Sequence, residues 1–223
     1  MSKTIIFIIS WLVTILVPLA VIMLAARLLM TPVFLETEYR MPGFPQDNYG
    51  FTQQDRLRWA KPSVEYLINA EGIDFLATLK FDAGQPIYNE RELSHMSDVK
   101  IVVQKLLRLW YADLVLLVLL GFWAWRASWR LEYVAGLRRG GFLTAGLLLA
   151  LAGFASISFW EFFTWFHSLF FSGDSWLFLL SDTLIRLFPI RFWQDAVIFI
   201  VGFSLIVGLI MGFALKPGSQ SKV

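Results

Sequence analysis

The sequence predicts an all-α membrane protein: four transmembrane helices with a large, mostly helical extracytoplasmic domain between the first and the second. Three observations predict it. Hydrophobic residues make up 57% of the chain and charged residues only 16%, with a mean hydropathy of +0.63, a balance outside that of soluble globular domains. Apolar stretches long enough to cross a bilayer recur four times along the chain. The one sizeable hydrophilic segment, 31–104, holds most of the Pro, Asn and Gln.

The first apolar stretch, 4–30, reaches roughly 40 Å as a helix. It is too long for a signal-peptide core and carries no small-residue cleavage pattern, so it reads as an uncleaved signal anchor and transmembrane helix 1. Residues 31–104 form the extracytoplasmic domain, with seven basic against eleven acidic residues. Within it Thr52-Gln53-Gln54-Asp55 spells a capping box for a helix running towards Asn69, with Pro62 as a kink or break. A short element over 72–80 and a turn at Asp82-Ala83-Gly84-Gln85-Pro86 follow. Transmembrane helix 2 covers 106–125, a cytoplasmic loop 126–140, and transmembrane helix 3 with an outer extension 141–171. An interfacial or re-entrant segment covers 172–191, too apolar for water and too short to span. Transmembrane helix 4 covers 192–215, and 216–223 is a disordered cytoplasmic tail.

Basic residues set the orientation. Arg126, Arg130, Arg138 and Arg139 crowd the link between helices 2 and 3 against the single acid Glu132, which makes that link and both termini cytoplasmic. Trp110, Tyr111, Trp160, Trp165 and Trp193 then mark the outer interface, and Trp123, Trp125 and Trp129 the inner one. Arg27, Asp113, Glu161 and Asp195 fall at one outer depth, an arrangement that implies a shared polar cavity, because charge within a bilayer is costly unless paired or wetted.

Chemistry is confined to few groups. The absence of cysteine excludes disulfides, iron–sulfur clusters, thiolate metal sites and a cysteine nucleophile. No basic stripe points to nucleic acid. No His-Glu-x-x-His, Gly-x-Ser-x-Gly or phosphate-binding glycine loop occurs. Only two histidines exist, His95 and His167, and both fall on the outer side. Asp98, three residues after His95, either fixes the His95 tautomer through Nδ1 or, with Ser97, caps the helix that leads into the second span. Asp182 and Arg186, spaced i, i+4, form a salt bridge or bind a headgroup or oxyanion.

The motifs Glu92-Leu93-Ser94-His95-Met96-Ser97-Asp98-Val99-Lys100, His167-Ser168-Leu169-Phe170-Phe171, Asp174-Ser175-Trp176 and Leu184-Ile185-Arg186-Leu187-Phe188-Pro189, set among four spans and a large outer loop, resemble the bacterial lipoprotein intramolecular transacylase (Lit) family. That resemblance implies transfer of the sn-2 acyl chain of a lipoprotein's diacylglyceryl-cysteine to the cysteine's own α-amino group, giving an N-acyl lyso-form. It implies His167 and His95 as catalytic residues in the bacterial cell membrane. Ester aminolysis needs a base for the amine and a donor for the departing oxygen, tasks two imidazoles can share. His167 is expected as the base and His95, oriented by Asp98, as the acid or oxyanion stabiliser. Ser94, Asp98, Asp174 and Arg186 are the candidates for orienting, oxyanion or headgroup roles. No cofactor and no metal is expected; the implied partners are the diacylated lipoprotein N-terminus and membrane lipids, without nucleic acid. A non-enzymatic accessory protein and a zinc-dependent membrane hydrolase are the alternative readings.

Overall fold

The computed structural model describes residues 2–216, which form nine helices and, apart from an isolated bridge between Lys80 and Pro86, no β-structure. Four of them, α1 (Lys3–Leu29), α5 (Glu90–Arg126), α6 (Arg130–Ile157) and α9 (Ile190–Ala214), are long and apolar enough to cross a membrane. The others are α2 (Pro32–Glu38), α3 (Gln53–Ile68), α4 (Asp74–Ala77), α7 (Phe159–Phe170) and α8 (Thr183–Leu187). This is a multi-pass membrane protein of the predicted class. The tail 217–223 lies outside the described residues.

Several boundaries differ from those predicted, each for a local reason. The second span's helix begins at Glu90 rather than near 106, so the helix start is neither Ser97 nor Asp98. Asn89 and Glu92 form the cap instead: the Asn89 N–H donates to Glu92 Oε2 (2.9 Å) and the Glu92 N–H to Asn89 Oδ1 (3.0 Å). The predicted third span, 141–171, breaks at Ser158, whose extended backbone (φ −153°, ψ 108°) and hydroxyl acceptor for the Glu161 N–H start α7 as a separate helix. The expected loop 126–140 shrinks to the residues between α5 and α6, because Arg138 and Arg139 are absorbed into α6. Segment 172–191 is not one continuous helix; it turns and places α8 in a packed core.

The chain divides into two compact units. Among the described residues the first draws on 2–26, 107–157 and 199–216. Here α6 packs through glycine. A Cβ at Gly140 would stand 2.5 Å from the Val17 Cβ of α1, and one at Gly141 would stand 2.5 Å from the Gly208 carbonyl oxygen of α9. Arg139 donates to Ser10 Oγ (2.7 Å) and lies over the Trp11 ring (4.8 Å). Trp110 and Trp129 are buried within the protein. Trp110 donates to the Ala20 carbonyl, and Trp129 packs edge-on against Trp123 and Tyr133.

The second unit draws on Arg27–Leu106 and Ser158–Ile198. Its α3 carries the predicted capping box, with Thr52 and Asp55 bonding reciprocally, and Pro62 lies inside the helix without ending it. The buried face Trp59, Ser63, Tyr66 follows helical spacing. Trp59 and Tyr66 pack with Leu76, Ile87, Tyr88, Met96, Leu184 and Leu187 into one core. The predicted 82–86 turn closes with Gly84 at φ +88°, a conformation that favours glycine. Glu92, buried in this core, also accepts from the Leu184 N–H (2.7 Å), which ties the start of α5 to α8.

Candidate functional site

His95 stands in the polar N-terminal part of α5, ahead of its apolar stretch, and His167 in the last turn of α7; both belong to the second unit. The loop after α7 brings them together. The Phe171 ring lies 5.1 Å from the His95 ring and 5.9 Å from the His167 ring, centroid to centroid. The two imidazoles are therefore no further apart than those distances laid end to end. Phe178 packs edge-on against His95 (5.2 Å), and Trp176 stacks on His167 (4.7 Å, 29° between planes). The Phe163 ring also packs on His167, at 4.0 Å with the planes 41° apart, and meets Trp176 at 6.0 Å.

Local geometry fixes one of the two rings electronically. His167 Nδ1 is 2.7 Å from the carbonyl oxygen of Phe163, four residues earlier on α7. A carbonyl only accepts, so Nδ1 carries the proton of the neutral ring and Nε2 its lone pair. His95 Nδ1 is buried with no hydrogen-bond partner among the described residues. Burial lowers both histidines from their ordinary value. For His95 burial acts first and the neighbouring His167 second, taking it to about 4; for His167 burial dominates and the Phe163 hydrogen bond works against it. Burial thus favours the neutral form of both rings.

The supporting residues expected from sequence fare unevenly. Asp98 is exposed and does not hold His95 Nδ1, because that nitrogen points into the protein while residue 98 faces away. Ser94 is exposed as well. Asp174 contributes its backbone, not its carboxylate: its carbonyl accepts from the Arg91 guanidinium at 2.8 Å. Arg186 does not pair with Asp182. It pairs with Asp47 (3.0 Å) and lies over the Phe51 ring (3.4 Å). Asp182 instead sits at the α8 N-cap, where its carboxylate accepts from the Leu179 N–H and from Asn89. Of the four charges expected to share a polar cavity, three lie in this unit. Arg27 bonds the Met30 carbonyl, Asp195 pairs with Arg191, and Glu161 is exposed at the start of α7. Asp113 belongs to the first unit, buried with no partner for either carboxylate oxygen among the described residues. No three His, Asp or Glu side chains among the described residues gather as a metal-ligand set.

Three contributors were not anticipated: Phe163, Phe171 and Trp176. The first two were legible, since Phe163, His167 and Phe171 recur at four-residue spacing, the pitch that stacks side chains on one helix face. The approach of Trp176 depends on the turn at Gly173 (φ +62°) and carries no local signal.

Comparison with known proteins yields consistent likenesses. A family model described as lipoprotein intramolecular transacylase Lit matches residues 7–193. A protein of Aquifex aeolicus (strain VF5), described as uncharacterized, is 30% identical over 206 residues, covering 92% of each chain. The membrane-integral lipoprotein intramolecular transacylase Lit from Bacillus cereus shares the fold with a TM-score of 0.66 at 20% identity, over 94% of each chain. A histidine-to-arginine variant of that protein aligns with a TM-score of 0.65 at 19% identity, over 93% of this chain and 89% of the variant.

Proposed function

This chain belongs to the lipoprotein intramolecular transacylase Lit family, and from that membership we propose that it moves the sn-2 acyl chain of a diacylglyceryl-cysteine to the α-amino group of the same cysteine. The observation that carries this reading is the pair of neutral imidazoles packed on Phe171, one with its tautomer set by Phe163. The substrate amine attacks the ester carbonyl as His167 Nε2 takes its proton. The resulting imidazolium returns that proton to the glyceryl oxygen as the C–O bond breaks. One C–N bond forms, one C–O bond is lost, and the proton moves from nitrogen to oxygen, so no co-reactant is needed. A single base-then-acid histidine accounts for both transfers.

His95 has a different task. A ring held near 4 is a poor imidazolium acid at neutral pH. As a neutral N–H donor it stabilises the oxyanion that develops on the ester carbonyl, where a desolvated donor is strongest. Both reacting ends belong to one bound molecule, which contributes proximity. The substrate sits at the outer leaflet, with the second unit extracytoplasmic and both termini cytoplasmic, a reading supported by Arg126 and Arg130 flanking the α5–α6 link.

The test is mass spectrometry of lipoprotein N-termini from cells expressing the chain. Wild type converts diacylglyceryl species to N-acyl lyso species. His167→Ala abolishes the product and His95→Ala lowers it by about a hundredfold or more. A wild-type chain that leaves the diacylglyceryl species unmodified contradicts the reading.

A further inference from the structure

We propose that Trp176 is a positioning residue for this reaction: its indole, stacked on His167 against Phe163, holds the imidazole plane and excludes water from it, and Arg91 latches the loop that carries it. The inference rests on the reading of His167 as the base.

Three contacts confine the His167 ring. Phe163 packs on the ring at 4.0 Å with the planes 41° apart, and the Phe163 carbonyl accepts the Nδ1–H hydrogen bond. Trp176 stacks at 4.7 Å with the planes only 29° apart. Phe163 and its carbonyl belong to the same helix as His167 and follow from α7 alone. Trp176 comes from outside α7, so the stack exists only while the 171–178 loop is folded back.

That loop is tied from a second element. Arg91, one helical turn before His95 on α5, donates to the Asp174 carbonyl (2.8 Å) and lies over the Phe178 ring (5.6 Å), while Phe178 packs on His95. Within the loop, the Leu177 N–H closes onto the Asp174 carbonyl at 3.0 Å. The latch and His95 thus share one face of α5, and a single loop sets the surroundings of both imidazoles.

The stack has a chemical consequence as well as a geometric one. His167 is neutral before the amine attacks and cationic once it holds the proton. The indole's apolar cover disfavours a charged ring before the amine attacks and so keeps the Nε2 lone pair free, and its fixed plane aims that lone pair, an orientation effect that acts on kcat more than on KM. Misplacing a base by about an ångström costs on the order of a hundredfold.

Trp176→Leu and Trp176→Phe test this in purified protein with a diacylated lipopeptide, alongside an NMR titration of the two histidines. Trp176→Leu should lower kcat by about tenfold to a hundredfold with KM changed less, and water admitted to the ring should move the His167 titration up towards about 6.5. Trp176→Phe should restore most of kcat, and Arg91→Leu should reproduce the Trp176→Leu defect in weaker form. A folded Trp176→Leu protein with wild-type kcat, or one that loses activity while His167 titrates as before and Trp176→Phe gives no rescue, overturns the inference. His167→Ala, run in parallel, separates the two proposals. If it stays active, the assignment of the base is wrong; if it is dead while Trp176→Leu is normal, only the role of Trp176 is lost.

Discussion

A histidine that donates through Nδ1 to the carbonyl one helical turn back keeps Nε2 free as an acceptor, and His167 does this with a carbonyl from its own helix. The sequence carried both residues of that contact. Its chemical meaning emerges only with the rings of Trp176 and Phe171, which desolvate the imidazole. Because the chain has just two histidines, imidazole NMR resolves both. Each is held below its ordinary value by burial, and each stays neutral to lower pH than a free imidazole; His95 should titrate near pH 4 and His167 below 6.5. The sign for stability follows: between those pH values the unfolded chain binds a proton that folded His95 refuses, so stability falls as pH drops through that window. Either histidine titrating at or above about 6.5 contradicts the buried, neutral pair. Asp98 and Arg186 show the limit of local reading. The true partner of Arg186, Asp47, is 139 residues away, and no i, i+4 rule reaches it.

At the scale of elements, the four apolar helices, the α3 capping box and the glycine turn were readable because each rests on a local pattern: hydropathy, reciprocal caps and positive φ. The start of α5 was equally local, in Asn89 and Glu92, yet Ser97-Asp98 competed for it with similar chemistry. The break at Ser158 was harder, since the apolar run continues on both sides and only Ser156, Ser158 and Glu161 interrupt it. Glycines give the sharpest test of helix packing. Gly140→Ala pushes a Cβ to 2.5 Å from Val17, and overpacking of that kind costs about 1–3 kcal/mol. Gly146→Ala meets nothing within 4 Å, and the gain in helix propensity, up to about 1 kcal/mol, leaves it neutral or stabilised. Thermal unfolding in detergent should therefore rank Gly140→Ala below wild type and Gly146→Ala at or above it. Equal melting of the two variants contradicts the close α1–α6 packing.

For the molecule as a whole, composition alone identified a membrane protein, and the family model together with the Bacillus cereus fold agrees with it. What composition could not supply is that residues 158–198 join 27–106 in one compact unit, an association built from long-range contacts such as Glu92 to Leu184 and Tyr39 to Leu187. Orientation is testable without background, because the chain has no cysteine. In intact spheroplasts an impermeant maleimide should label Gln54→Cys, and it should label Ala127→Cys only after lysis; the reverse pattern inverts the proposed topology. The central claim is transfer within one molecule. Purified protein given an equal mixture of two lipopeptides, one carrying an isotope label in both its peptide and its sn-2 acyl chain and the other unlabelled, answers it directly by mass spectrometry of the products. The account predicts N-acyl lyso peptides that are wholly labelled or wholly unlabelled, whereas crossed products or released fatty acid would contradict it.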